Sequence, residues 1–472
     1  MAEIIPFKGI LYNAKAVGGI KDVVAPPYDV ISPEMQVSLY ERHPKNVIRL
    51  ILGKEFPGDG PNDKYRRAGE LFRQWLRDGT LIGDPTPGLY IYEEEYERDD
   101  PLDKAAGSAQ DTAYTGPREV CCHPHKPCIT PDRRRRIQRG IIAAVKIEEY
   151  EKGVILPHED TMPGPKQDRL ALMRECKANL SPIFGMYPDP GGETDAILDE
   201  ITSSNKPRIQ LTDDAGISHR VWSTTDEYLI SKLKSSFAAT PIFIADGHHR
   251  YETTLVYRNE IRSQMGNPPY ALPVDYAMMW LVNMDTQDMT VLPTHRVVGG
   301  LKSFEPARFI SAAEELFKVT RVDRTLTEIP GILAGYKPAT HAFAAYLGGE
   351  AGFFILTLRN DRETRARLDQ ILGDEAGTAR GRLDVTVLHR ALISHALGKI
   401  EGKTLLDIKY TRDIHEASHL VESGRYQLAF FLSPTGLDEI RAVVKAGSKM
   451  PQKSTYFYPK PLSGLLFRDL QG

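Results

Sequence analysis

Residues 241–254 read PIFIADGHHRYETT, a short apolar run that ends in Asp246, Gly247, His248, His249 and Arg250. The chain has 13 histidines, and two of them stand side by side here next to an arginine. The pattern predicts a strand, a turn and a helix. Gly247 allows a positive φ or the close approach of a ligand to the backbone. Asp246 is the expected N-cap of the helix. Free N–H groups and the positive end of the helix dipole would then point out of the turn, which suits an anion, phosphate best of all. Arg250 can add a bidentate pair of charge-assisted bonds. Asp246 can alternatively hold Mg²⁺ against a nucleotide's phosphates. Two plainer readings compete. Neighbouring residues on a helix do not face each other, so His248 and His249 are not expected to share a zinc ion. A simple helix cap with satisfied histidines stays open.

A second group is LPHEDTMPGPKQDR, residues 156–169. Glu159 precedes two prolines that hold a rigid, non-helical loop, which suits a carboxylate positioned as a general base. Lys166 and Arg169 follow at the start of a helix expected from about Lys166 to Asn179. Basic residues there oppose the helix dipole unless an anion binds nearby. The alternative is a solvated face on which Asp168 balances Arg169. A third group is KMPQKSTYFYPK, residues 449–460, where Lys449, Lys453 and Lys460 accompany Ser454 and Thr455. Lysines with hydroxyls can grip a phosphate or a carboxylate; an ordinary basic tail reads the same way. Pro-Pro-Tyr-Asp fixes a turn at Tyr28 and Asp29 that either faces the site or is purely structural. Asn46 and Arg49 are candidates of the same kind. His295 and Arg296 open a strand as candidates for phosphate contact.

These groups need elements to carry them. GLYIYEEEYE at 88–97 begins like a strand, with residues 139–150 as its partner, and YAMMWLVNM at 276–284 reads as a buried strand. Leu71, Phe72, Trp75 and Leu76 recur at helical spacing before a stop at Gly79. Residues 306–319 read as an amphipathic helix. Interleaved helices and short strands make the class α+β, or mixed α/β. Between the first two strands, residues 98–138 read as a polar insertion. Its Cys121, Cys122, His123, His125 and Cys128 do not match zinc spacing, and Arg133 to Arg136 read as a solvated run. At 472 residues two or three domains are expected. The division drawn is 1–152 with the insertion, a core at 153–300, and a C-terminal α/β region at 301–472.

Composition narrows the function classes. A net charge of −3 gives no reason to expect nucleic acid or a membrane surface as partner. Four cysteines in this length make no disulfide framework. The start lacks a secretory pattern, and no window reaches about 18 consecutive apolar residues. A cytoplasmic enzyme is the expectation, and a homodimer is compatible with it.

FIADGHHRYETTL resembles the signature of the ParB/sulfiredoxin-like superfamily and is most similar to its form in the archaeal ADP-dependent free-serine kinases. Pro157, His158 and Glu159 resemble the Pro-His-Glu loop of those kinases, and PQKSTYFYPK resembles their lysine-hydroxyl segment. The order of the three motifs agrees. The likeness covers residues 153–300 and, weakly, the C-terminal end. Over nearly its whole length the chain also resembles a large uncharacterised prokaryotic family, through VVAPPYDVIS, HPKNVIRLILG, LPTHRVV and MPQKSTYFYPKPLSGL as well. Members of that family are often encoded beside enzymes of the phosphorylated serine pathway. The chain departs from the kinases in its N-terminal region and in a longer spacing from Glu159 to Asp246.

The resemblance implies a ParB/sulfiredoxin-like nucleotide-binding core and a nucleotide-dependent phosphotransferase acting on a small hydroxylated metabolite. The implied reaction is serine phosphorylation or its reverse on O-phosphoserine, with ATP or ADP and Mg²⁺. The expected catalytic residues are Glu159 as base, Asp246 and His249. Gly247, His248, Arg250 and Arg296 are expected on the nucleotide phosphates. His158, Lys166, Arg169, Lys453, Ser454 and Thr455 are expected on the substrate, and Asp246 is the expected Mg²⁺ ligand. The competing reading is a ParB-like nucleotide-binding regulator without phosphotransfer, although no helix-turn-helix or basic domain accompanies it. A metal-dependent hydrolase using the histidines is the third.

Overall fold

The computed structural model describes residues 2–98, 134–159, 161, 163–302, 304–401 and 406–471. The Cys121–Cys128 cluster, Arg133 and most of the 98–138 insertion lie outside the described residues. Helices and strands interleave throughout, so the chain is mixed α/β. Among the described residues, no helix is long and apolar enough to cross a membrane.

The chain divides into two compact units. The first holds the described residues up to Tyr96, then Arg135–Thr290 and Phe457 onward; the second holds Val291–Tyr456 together with the described residues between 97 and 134. This differs from the division at 152 and 300, and the reason is a sheet. In the first unit nine strands share one sheet: β1 (Ile4–Ile5), β2 (Leu89–Arg98), β3 (Arg134–Lys146), β4 (Ile155–Leu156), β5 (Ile183–Tyr187), β6 (Ile209–Thr212), β7 (Ser218–Thr224), β8 (Ile242–Asp246) and β9 (Tyr276–Asn283). Their order is β4-β8-β5-β9-β3-β2-β7-β6, with β1 pairing β3. β3 and β9 pair antiparallel from Lys146↔Tyr276 to Gly140↔Val282, so a boundary at 152 would cut the sheet in two. β9 is buried at all eight positions, the mark of a central strand covered on both faces.

A smaller four-stranded sheet joins distant parts of the same unit, in the order Leu81–Gly83, Gly9–Tyr12, Phe467–Asp469, Ala178–Asn179. Beneath it lie Tyr12, Phe72, Trp75 and Phe467. Helix α1 (Asp63–Arg77) supplies Phe72 and Trp75 from the expected stripe, while Leu76 is exposed. Helix α2 runs Pro163–Cys176 and starts three residues before the expected Lys166. Prolines fit a first helical turn because its N–H groups have no intrahelical partner. Helix α3 runs His248–Gln264.

The second unit is built on six antiparallel strands: β10 (His295–Gly299), β11 (Phe317–Val322), β12 (Ala342–Leu347), β13 (Phe353–Leu358), β14 (Asp407–Thr411) and β15 (Leu428–Phe431). Their order is β11-β13-β12-β15-β10-β14. The helix expected over 306–319 stops at Ala313, and Phe317 opens β11 against β13. Val319, Thr320 and Val322 are β-branched, and a half-buried pleated edge suits them better than a helix.

Candidate functional site

β8 delivers four buried residues and then Asp246. Its register against β5 slips between Ile244 and Asp246, and such a bulge re-aims the strand end. Gly247 sits at φ +92° and caps α3. The positive φ requires glycine, and a Cβ there would lie 2.8 Å from Arg250 Nε, so that side chain would have to shift. Asp246 is therefore not the cap. As the last strand residue it turns its carboxylate to two cations, Lys460 Nζ at 2.5 Å from Oδ1 and Arg250 Nη2 at 2.7 Å from Oδ2. Lys460 also reaches Asp29 Oδ2 at 2.6 Å. Burial by itself would raise the Asp246 carboxyl; Lys460 and Arg250 outweigh it and hold the group ionised, well below the ordinary range. Arg250 Nη1 donates to the carbonyl of Pro182.

β4 pairs β8 in parallel, Ile155 with Ile242 and Leu156 with Phe243. The chain leaving β4 thus runs alongside the chain approaching the turn, and two bonds from His158 tether it there. Nδ1 of His158 lies 2.6 Å from the carbonyl of Ile244, and its backbone N–H donates to His248 Nε2 at 3.3 Å. The two imidazoles meet edge-on with centroids 4.6 Å apart. His158 is 1% exposed. Burial lowers its pKa to about 4, so the neutral ring donates from Nδ1. Placed so, His158 is a buried strut for the loop, and half-buried Glu159 follows it on a fixed backbone. His249 is half-buried in the first turn of α3.

The other expected residues fall in different surroundings. Lys166 pairs with Glu252 of α3 at 2.9 Å, and Thr161 Oγ1 donates to the same carboxylate at 2.7 Å. Arg169 is not on a solvated face. It is 8% exposed, stacks over the Tyr28 ring at 4.0 Å, donates to the carbonyl of Ile51 at 2.8 Å and pairs with Asp168. Arg296 and Lys453–Thr455 belong to the second unit. Arg296 is fully buried; it donates to the carbonyls of Thr294 and Lys453, the latter at 3.0 Å. Lys453 is exposed at φ +57°, and buried Ser454 donates to the carbonyl of Pro451. Asn46 is structural, with its amide donating to the carbonyls of Asp22 and Val24.

The fit of Mg²⁺ to Asp246 is poor as the side chains stand. Each carboxylate oxygen already faces a cation, and among the described residues no group of three or more His, Cys, Asp or Glu is placed to hold a metal. Lys460 and Arg250 supply the positive charge that the expectation gave to the ion.

The sequence reading passed over three features. Lys460 belongs to the lysine-hydroxyl group expected to grip a phosphate or a carboxylate, but its pairing with Asp246 and Asp29 is not foreseen there; the signal was its place between Pro459 and Pro461, which holds a cation on a stiff stretch. Glu252 was missed altogether. The third is a buried polar cluster on the nine-stranded sheet. Tyr92 Oη donates to Glu94 Oε1 at 2.8 Å and lies 2.8 Å from His219 Nδ1, while His219 Nε2 lies 3.2 Å from Asp213. Burial pushes Glu94 up to about 8. Arg136, expected in a solvated run, is 5% exposed in β3 and donates to the carbonyl of Gln287.

Residues 4–106 and 125–386 match the family described as Protein of unknown function (DUF1015). No curated protein matches the chain. Among solved structures, a free serine kinase variant in complex with ADP is 12% identical, covering 64% of this chain and 84% of its own, at a TM-score of 0.30. A conserved hypothetical protein from Pyrococcus furiosus is also 12% identical, covering 65% and 89%, at 0.30. SbnI with C-terminal truncation from Staphylococcus aureus is 11% identical, covering 67% and 85%, at 0.30. Overlaps this loose carry no argument about activity.

Proposed function

The chain belongs to the DUF1015 family, and we propose that it is a nucleotide-dependent phosphotransferase acting on a small hydroxylated metabolite, serine or O-phosphoserine before others. The observation that carries this reading is the turn at Asp246–Arg250. A glycine-capped helix start stands next to an ionised aspartate flanked by Lys460 and Arg250. His158 ties the Glu159 loop to the same turn.

In the proposed reaction the nucleotide's terminal phosphates lie at the glycine-capped start of α3, at the positive end of its dipole. Glu159 accepts the proton of the substrate hydroxyl. The hydroxyl oxygen forms a bond to phosphorus as the bond from phosphorus to the leaving nucleotide oxygen breaks. Lys460 and Arg250 offset the charge on the transferred group, so catalysis rests on positioning and electrostatics. Mg²⁺ would accompany the nucleotide as the counter-ion of its phosphates. The reverse reaction would move the phosphoryl of O-phosphoserine to ADP at the same residues.

Phosphorus NMR tests both directions: protein and Mg²⁺ with serine and ATP or ADP, then with O-phosphoserine and ADP. A new phosphoserine resonance, or a gain of nucleotide phosphate in the reverse mixture, is expected. No turnover either way, across several small hydroxylated substrates, would sink the proposal.

A further inference from the structure

A cavity of about 50 Å³ lies in the first unit behind Arg250. That is room for about four water-sized groups, at roughly 10–15 Å³ each, and far too little for a nucleoside. α2 contributes Arg169, Leu172 and Met173 to its wall, and α3 contributes Arg250, Thr253 and Thr254. The stretch from Ala178 to Ile183 and Met278 of β9 complete most of it, with Tyr28 and Ile51 on the remaining side.

Three properties of this lining point to one kind of occupant. It includes two guanidinium groups and no carboxylate residue; the carboxylates that pair with them, Asp246 and Asp168, stand outside the lining, so the charges facing the cavity itself are cationic. Arg250 Nε is buried without a hydrogen-bond partner, while its two terminal nitrogens are committed to Asp246 and the Pro182 carbonyl. A buried donor left unmade is costly, and an acceptor brought by a ligand would relieve it. The rest of the wall is mostly aliphatic with a few hydroxyls, and Thr253 and Thr254 spend theirs on the carbonyls of His249 and Arg250. Such a surface accepts a short carbon chain more readily than a phosphate, which asks for several free donors.

Arg250 connects the cavity to the candidate site, because the same side chain holds Asp246 at 2.7 Å. We propose that the cavity is the acceptor pocket: it takes the carboxylate end of a compact amino or hydroxy acid against Arg250 and Arg169, leaving the hydroxyl toward the turn at Asp246. This deepens the phosphotransferase reading and rests on it.

Calorimetric titration of the full chain tests the pocket apart from the chemistry. L-serine is compared with serinamide, which keeps the hydroxyl and lacks the carboxylate, and ADP is titrated separately. The wild-type comparison needs no variant. Serinamide is expected to bind at least about tenfold more weakly than serine, a difference of about 1.4 kcal/mol. Thr254→Met, which puts a longer side chain into the cavity, should weaken serine about tenfold or more and leave ADP affinity within about twofold. Serinamide binding as well as serine, or a folded Thr254→Met binding serine as wild type does, overturns the pocket; if phosphoryl transfer continues, the proposed reaction survives. Serine binding that Thr254→Met abolishes, with no nucleotide bound and no transfer, supports the pocket and overturns the reaction. Binding of neither serine nor O-phosphoserine overturns the pocket whatever the nucleotide does.

Discussion

Two acids of the first unit, half-buried Asp246 and buried Glu94, are driven to opposite protonation states. Burial raises both; at Asp246 the charges of Lys460 and Arg250 reverse the outcome, while Glu94 has only the Tyr92 hydroxyl against it and rises to about 8. An acid whose folded pKa lies above its ordinary 4.5 contributes fully below 4.5, and that contribution is lost as pH rises through about 8. Glu94→Gln keeps the neutral shape, so its urea midpoint should fall less between pH 5 and pH 8 than that of wild type. Equal slopes would mean that Glu94 is ionised in the fold. His158 works in the other sense, since a histidine held at about 4 loses its contribution as pH falls from 6.5 toward 4. At Lys460, replacement by Met leaves the half-buried Asp246 with one cation in place of two. Breaking a buried pair costs about 3–5 kcal/mol, which urea unfolding would read directly. Glu159→Gln should lower phosphoryl transfer by about 10²–10⁴-fold, the usual worth of a general base, with nucleotide affinity retained. Full activity in that variant would remove Glu159 from the role.

At the scale of elements, the turn between β8 and α3 is the most constrained piece of the site. Gly247 and Gly192 both cap helices with positive φ, +92° and +66°. An added Cβ meets Arg250 at Gly247 and nothing within 4 Å at Gly192. Gly192→Ala should therefore cost only the backbone strain, about 1–2 kcal/mol. Gly247→Ala should cost more and also weaken nucleotide binding, because Arg250 must move. Thermal unfolding with a parallel nucleotide titration separates the two effects; a Gly247→Ala protein that binds nucleotide as wild type does would show that the turn is not the phosphate cradle.

On the scale of the whole molecule, the chain leaves the first unit after Thr290 and returns at Phe457. The returning segment carries Lys460, then Phe467 into the core with Tyr12 and Phe72, then Arg468, which donates to the carbonyls of Tyr276 and Pro273 at 2.8 Å. The second unit has a core of its own around Val297, Ala344, Ile355 and Phe431. Removal of residues 457–472 should accordingly abolish the calorimetric transition of the first unit and leave that of the second, and residues 291–456 alone should unfold cooperatively. Two intact transitions after the truncation would contradict this assignment.

The strand, turn and helix around DGHHR were legible in the sequence because each is a local pattern. An apolar run, a glycine where φ must be positive, and a helical stretch with no proline specify themselves within a few residues. The stop of the helix at Ala313 was not legible, because an apolar stretch of that length fits a helix and a strand alike until a partner strand is present. The mixed α/β class and the buried strand at 276–283 were read for the same local reasons, whereas Pro163 and Pro165, expected to hold a non-helical loop, open α2 instead. Of the partners of Asp246, Arg250 stands one helical turn away, whereas Lys460 lies far along the chain and reaches it only once the C-terminal segment returns to the first unit. Nor could a run of three glutamates at 93–95 announce that Glu94 is fully buried, for which β7 must lie alongside with His219 opposite it. The sequence by itself determined the turn that suits an anion. Only the tertiary structure decided which charges surround it, because pairing across a sheet and between chain ends leaves no periodic mark on either partner.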